Sequence, residues 1–324
     1  MKGCYNACIV KSILTYSDTS DQELYLETTI PFKKTNIKII AATTAGALKK
    51  PNEDTFAVTS EDDILLAGIF DGTTSFPIPA LGEISSARYA SHFIKKQFSA
   101  VTKTLSPEKI LLNINEKLWE TIKKMNGVTL ADTLTLPAST ATVIKIDANK
   151  SLLSFAHIGD AFGIVYFEDG HSEIFTDDKN KRFDEEMFTL IRKIAKENDL
   201  TNREARQDKR VNQGLGEMYY KRNNNTEGKG SGLINGDPHL ELYIQTGTID
   251  LSGIKTILLG TDGLLPQGWE EQKEQDRQKL LEVIRTGGFE KMFKTKHESE
   301  DDDPEWNFIR YKHSDDATGI LIEL

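Results

Sequence analysis

Apolar residues in this chain gather in short runs bounded by turn formers, and only a few longer stretches carry the helical period. Eight runs read as strands: IKIIAA from Ile37, DTFAV from Asp54, DILLAGIF from Asp63, TATVIKI from Thr140, LLSFAHI from Leu152, FGIVYF from Phe162, KTILLG from Lys255 and TGILIEL from Thr318. Helical spacing predicts a first helix from Glu83 to Val101, with Ile84, Ala87, Ile94, Phe98 and Val101 on one face. A second starts at Ser106-Pro107, an N-cap with proline in the first turn, and its stripe is Ile110, Leu111, Ile114, Leu118 and Ile122. Met187, Leu190, Ile191 and Ile194 mark a third helix; Leu280, Leu281 and Ile284 mark a fourth. Strands come in blocks with helices in pairs between them. That order breaks strict βαβ alternation and predicts a layered α+β sandwich.

Two stretches fall outside this pattern. From about Asp199 to Asp237 the chain is rich in Asn, Gly, Lys and Arg with few apolar residues, which predicts a mobile surface flap inserted into the domain. The run from Glu298 to Glu305 holds six acids around Pro304 and reads as a solvated loop, because consecutive like charges repel. Residues 1–35 form an N-terminal extension, in which CIVKSILTY and LYLETTI suggest an extra hairpin.

Composition narrows the classes. The 324 residues suffice for about two average domains or one large layered one. Asp and Glu number 50 against 40 Lys and Arg, a net charge of -10, which argues against nucleic-acid partners and against a polybasic membrane surface. The only cysteines, Cys4 and Cys8, exclude a disulfide framework and a Cys-rich zinc site, and fit a reducing compartment. No apolar run reaches membrane-spanning length, the N-terminal stretch is a poor signal peptide, and Gly3 is one place too late for myristoylation. A cytoplasmic monomer is the expectation. The stretch Gly228 to Gly232 lacks the spacing of a P-loop.

The chemistry lies in the placement of particular acids. Asp71 follows LLAGIF, Asp160 follows FAHIG, Asp262 follows TILLGT, Asp54 opens a strand, and Asp315 and Asp316 precede the last one. Each alone reads as a turn residue, since Asp-Gly is a common hairpin signal. As a set they converge if the strand ends share one edge of a sandwich, and clustered carboxylates stay ionised only beside cations. Oxygen-only ligands suit Mg²⁺ or Mn²⁺ rather than zinc. Glycine after Asp71 and Asp262 allows the backbone to come close to a ligand. His157 and His313, each beside a strand end, read as hydrogen-bonding groups rather than ligands.

Six blocks in order then resemble the metal-dependent PP2C-type (PPM) protein serine/threonine phosphatases: KKPNEDTFAV at Lys49, GIFDG at Gly68, ASTATVI at Ala138, HIGDAFGIVY at His157, LLGTDGLL at Leu258 and SDDATGILIEL at Ser314. The resemblance spans residues 36–324 and implies a four-layer α-β-β-α sandwich of two antiparallel sheets flanked by helix pairs. It implies that Asp71, Asp262 and Asp315 bind a first Mn²⁺ or Mg²⁺, that Asp71, Glu53 or Asp54 and the Gly72 carbonyl bind a second, and that Asp160 contributes to a third, weaker ion. The implied reaction is attack of a metal-bridged hydroxide on phosphoserine or phosphothreonine in a protein substrate, paired with a serine/threonine kinase. Asp71 and Asp262 would be central to catalysis, with Lys49 where the family has a phosphate-binding Arg; a lysine offers a point charge instead of a fork.

Departures from the family pattern are Thr73 in place of a proposed acid His, Phe162 in place of Arg, Pro266 where some members carry a further acid, and Asp316 in place of Asn. With Lys49, Phe162 and Pro266 support a second reading, a binding or regulatory module of the same fold with little turnover.

Overall fold

The computed structural model describes residues 23–32, 35–46, 51–73, 78–126, 128, 136–223 and 230–324. Its strands form two antiparallel sheets. One has the order β1 (Glu23–Phe32), β2 (Thr35–Thr44), β11 (Ala317–Glu323), β10 (Ile254–Gly260), β7 (Phe162–Phe167) and β8 (Ser172–Ile174). The other has the order β3 (Thr55–Glu61), β4 (Ile64–Thr73), β5 (Ala138–Asp147), β6 (Leu152–Ile158) and β9 (Gln245–Asp250).

The strands are almost continuously apolar because both faces are covered. In β10, Ile257 and Leu259 point into the core between the sheets while Leu258 points the other way, beneath a helix. Likewise in β4, Leu65, Ala67 and Ile69 face the other sheet and Leu66 and Phe70 face outward. Two helices, α1 (Ser86–Ser99) and α2 (Pro107–Ile122), cover the β4 side with Ile94, Phe98, Ile110, Ile114 and Leu118. On the opposite face lies α6 (Glu274–Asp301), broken at Gly288, where φ is 68°, into two segments that bring Leu280, Ile284, Phe289 and Met292 onto the sheet. The α-β-β-α layering expected from the sequence is present.

Several local expectations change. Ser85, not Glu83, caps α1 by accepting the Arg88 N–H at 3.1 Å, which leaves Ile84 outside the helix and half exposed. LYLETTI does form a hairpin strand, but its partner is β2; CIVKSILTY lies outside the described residues. From 199 to 223 the chain is largely helical, with α4 (Asn202–Ala205) and α5 (Lys209–Asn223). Val211, Leu215 and Met218 of α5 are buried against Met187, Ile191 and Ile194 of α3 (Lys181–Asn198), so the insertion has a core of its own.

The acidic run is the clearest correction. Residues 298–301 complete α6, and Glu300 and Asp303 are buried, Glu300 against Lys296 at 3.4 Å and Asp303 against Arg310 at 2.8 Å. Burial of a carboxylate requires such a partner. Among the described residues, no helix is long and apolar enough to cross a membrane.

Candidate active site

Antiparallel pairing carries the acidic strand ends to one edge of the sandwich. Asp71 lies two residues before the end of β4 in one sheet; Asp262 follows β10 and Asp315 precedes β11 in the other; Asp160 lies in the β6–β7 turn that crosses between them. All four, with Glu53 and Gly72, line one cleft of about 460 Å³.

Beneath the cleft a polar seam ties the sheets together. Thr43 and Thr318 share a hydroxyl hydrogen bond of 2.6 Å, Asn52 donates to Thr43 at 2.7 Å, and Thr261 donates to Asp54 at 2.8 Å while accepting the Thr318 N–H. These groups are buried and satisfied, so they fix the strand ends in register. The two glycines also have a packing role that is independent of any ligand. A Cβ on Gly263 would overlap the Asp316 carbonyl oxygen, and one on Gly72 would overlap the Ala87 carbonyl, so both let backbone meet backbone under the site.

Asp316, the departure from the family's Asn, accepts the N–H of Gly46 and the N–H of Glu53, both at 2.7 Å, one on each oxygen. An asparagine has one acceptor oxygen and could not take both N–H groups in this way. Glu53 in turn accepts the Gly72 N–H at 3.2 Å on its carbonyl. The acid thereby sets the spacing between the loop before β3 and the end of β4.

Electrostatics mark the site as short of positive charge. Loss of solvent, with the charges of Asp54 and Asp262, holds the Asp71 carboxyl well above the ordinary range; loss of solvent, with Asp160 and Asp315, does the same to Asp262. Burial, with Asp316 and Asp315 nearby, pushes Asp54 up to about 8. Buried Oδ1 of Asp160 has no hydrogen-bond partner, while its Oδ2 is held by Asn180. Oxygen donors, mutual repulsion and an unused carboxylate oxygen together fit a divalent cation. Among the described residues, however, no three acids, imidazoles or thiols surround one point. Asp262 accepts its neighbour Gly263 N–H at 2.7 Å, and Asp315 is paired with Lys312.

The raised acids give a pH signature in metal-free protein. Folded Asp54 has a pKa of about 8 against an ordinary 3.8, so its contribution is full below pH 3.8 and is lost as pH rises through about 8. Asp71 and Asp262 shift in the same direction. Buried His157 is the opposite case: at about 4 against 6.5, its contribution is present above 6.5 and lost as pH falls through about 4. Calorimetric melting in chelator should therefore show a midpoint that falls from pH 6.5 to pH 8, where the several raised acids outweigh the buried Lys95 amine, lowered to about 8, and Mn²⁺ should reduce the fall. A midpoint that is flat or rises over this interval without metal would contradict the clustering of unneutralised acids.

Not every expected residue joins the cleft. Asp54 sits below it, on Thr261, so Glu53 is the acid of that pair that lines the cleft. Lys49 lies outside the described residues. His157 is a structural group as expected, with Nδ1 at 2.9 Å from the Thr142 hydroxyl and Nε2 at 3.2 Å from the Asp177 carbonyl. His313 is exposed and 3.3 Å from Asp301. Phe162 is a core residue under α6, and Thr73 accepts a hydrogen bond from Arg222 at 3.2 Å. Arg222, Asp184, Lys296 and Lys312 also line the cleft and were not anticipated. A signal for Arg222 existed: it continues the face of Val211, Leu215 and Met218 at helical spacing.

Comparison with known proteins agrees with this architecture. Stp1, a serine/threonine phosphatase from Staphylococcus aureus, is 15% identical with a TM-score of 0.55, covering 92% of this chain and 99% of its own. A serine/threonine phosphatase of S. agalactiae is 14% identical with a TM-score of 0.52, covering 89% and 99%. A bacterial serine phosphatase is 14% identical with a TM-score of 0.53, covering 88% and 96%. At such identities the likeness is one of fold. No curated protein sequence matches the chain. The alternative of a binding module with little turnover gains no support from these matches. The sequence model described as Protein phosphatase 2C matches residues 44–303, well over half of the chain, and the chain belongs to that family.

Proposed function

We propose that this protein serine/threonine phosphatase hydrolyses phosphoserine and phosphothreonine in protein partners at the cleft between its sheets, using Mn²⁺ or Mg²⁺. The observation that carries the reading is the meeting of Asp71, Asp160, Asp262 and Asp315, from four strand ends, in one cleft. Asp71, Asp262 and Asp315 would hold one ion; Asp71, Glu53 and the Gly72 carbonyl would hold a second. When bound, such ions would supply a water of lowered pKa and neutralise charge on the phosphoryl oxygens.

The chain's own residues prepare that arrangement. Asp316 fixes Glu53 relative to Gly46, and the Glu53 carbonyl fixes Gly72, so one end of the site is set by backbone hydrogen bonds. Lys296 donates to the Asp315 carbonyl and holds the other end. The Thr73 hydroxyl is a poor acid, so the leaving oxygen takes its proton from water or from another group rather than from this position. The substrate is a phosphoprotein made by a serine/threonine kinase, because only that class of reaction places phosphate on those hydroxyls.

A phosphopeptide panel assayed with Mn²⁺ tests the proposal. Release of phosphate from phosphoserine or phosphothreonine peptides, lost in excess chelator, is the expected result. Calorimetric Mn²⁺ binding without turnover on any peptide would instead favour the binding-module reading.

A further inference from the structure

Helix α5 crosses the segment whose composition resembles a polar flap, yet its buried face ends at the active cleft. Arg222 lies one helical turn beyond Met218 on that face, and its side chain is only 7% exposed. One terminal nitrogen donates to the Thr73 hydroxyl at 3.2 Å, next to Gly72 and the end of β4. The same nitrogen stands 4.0 Å from Asp160 Oδ2, beyond hydrogen-bond reach. Nε is buried with no hydrogen-bond partner.

Neither nearby carboxylate accepts a hydrogen bond from Arg222, although Asp160 Oδ1 has no partner of its own. Asp160 Oδ2 accepts from Asn180, and Asp184 Oδ1 accepts from the Tyr311 hydroxyl at 2.8 Å. A guanidinium taken out of water with an N–H left unpaired is costly unless an anion compensates its charge. Its planar fork matches two oxygens of a phosphate monoester, which a lysine ammonium cannot do. Lys49, at the position where the family resemblance predicts an arginine, offers only such a point charge.

We infer that Arg222, supplied by the inserted helix, binds the phosphoryl group of the substrate through two of its N–H groups, while the strand-end carboxylates serve the cations. This rests on the phosphatase reading of the cleft. The competing role is a structural counter-charge to Asp160 and Asp184, and the two roles separate experimentally.

The test is calorimetry of inorganic phosphate binding to the full chain in Mn²⁺, beside KM and kcat for an aryl phosphate, in the parent, Arg222→Lys and Arg222→Ala. Arg222→Lys keeps the positive charge facing Asp160 and Asp184 and so keeps the fold, but loses the fork. It should weaken phosphate binding and raise KM by about tenfold, and Arg222→Ala by about a hundredfold, the range for charge-assisted hydrogen bonds. Phosphate affinity and KM of Arg222→Lys within about twofold of the parent would overturn the inference, whether or not Arg222→Ala folds. Failure of the parent to hydrolyse any phosphate ester would strike the phosphatase reading instead, and phosphate calorimetry would still report on Arg222.

Discussion

Asp71→Asn is expected to abolish Mn²⁺-stimulated hydrolysis of an aryl phosphate while making the metal-free protein more stable. The two effects have one cause. Asp71 lies near the end of β4, where Asp54, Asp262, Asp160 and Asp315 all act on it, and its carboxyl is held well above the ordinary range by loss of solvent and by those charges. An amide in its place keeps the shape and removes one charge from the crowd, so folding should become easier without metal. The same replacement removes the only carboxylate assigned to both ions. Lewis-acid stabilisation is worth several kcal/mol, so the loss should be on the order of a thousandfold or more in kcat. Steady-state kinetics with Mn²⁺ and melting in chelator measure the two halves. Full activity in the variant, or in excess chelator, would remove Asp71 from the metal assignment; a lower melting point in chelator would show that its charge is not in conflict with its neighbours.

The fold and the acidic half of the site were readable because both follow from local pattern. Runs such as TILLG and LLAGIF are apolar on both faces, as strands covered on both sides must be, and the acids that end them meet wherever antiparallel strands share an edge. Strand β9, QTGTID, was missed because it is an edge strand whose side chains alternate between half-buried and exposed, leaving no apolar run. The cationic half of the site was hidden for a different reason. In α5, Val211, Leu215, Met218 and Arg222 keep helical spacing, but the residues between them are Asn, Gln, Gly, Glu, Tyr and Lys, and average composition outweighed period. Asp316 shows the limit of reading a departure from a motif. In the sequence it reads only as a departure from the family's Asn, whereas its two oxygens each accept a backbone N–H from a loop far away in sequence.

Lys296→Met is expected to destabilise the protein by about 3–5 kcal/mol, the cost of leaving a buried partner charge uncompensated. Lys296 and Glu300 are 1% and 2% exposed and 3.4 Å apart on successive turns of α6. Lys296 also donates to the Ser314 hydroxyl at 2.9 Å and to the Asp315 carbonyl, and His297 contacts the other Glu300 oxygen at 3.1 Å. Burial alone would raise the Glu300 carboxyl, yet the His297 hydrogen bond and the Lys296 charge hold it below its ordinary value. Methionine fills much of the lysine's volume but supplies no charge and no donor, so Glu300 and the loop before β11 both lose their support. Denaturant unfolding should show the loss, and Lys296→Met combined with Glu300→Leu should recover most of it, because an apolar pair leaves no stranded charge. Hydrolysis should stay impaired in the double variant, since the Asp315 carbonyl still lacks its anchor. A single-variant loss below about 1 kcal/mol would mean that the acids at the end of α6 remain hydrated, as their sequence first suggests.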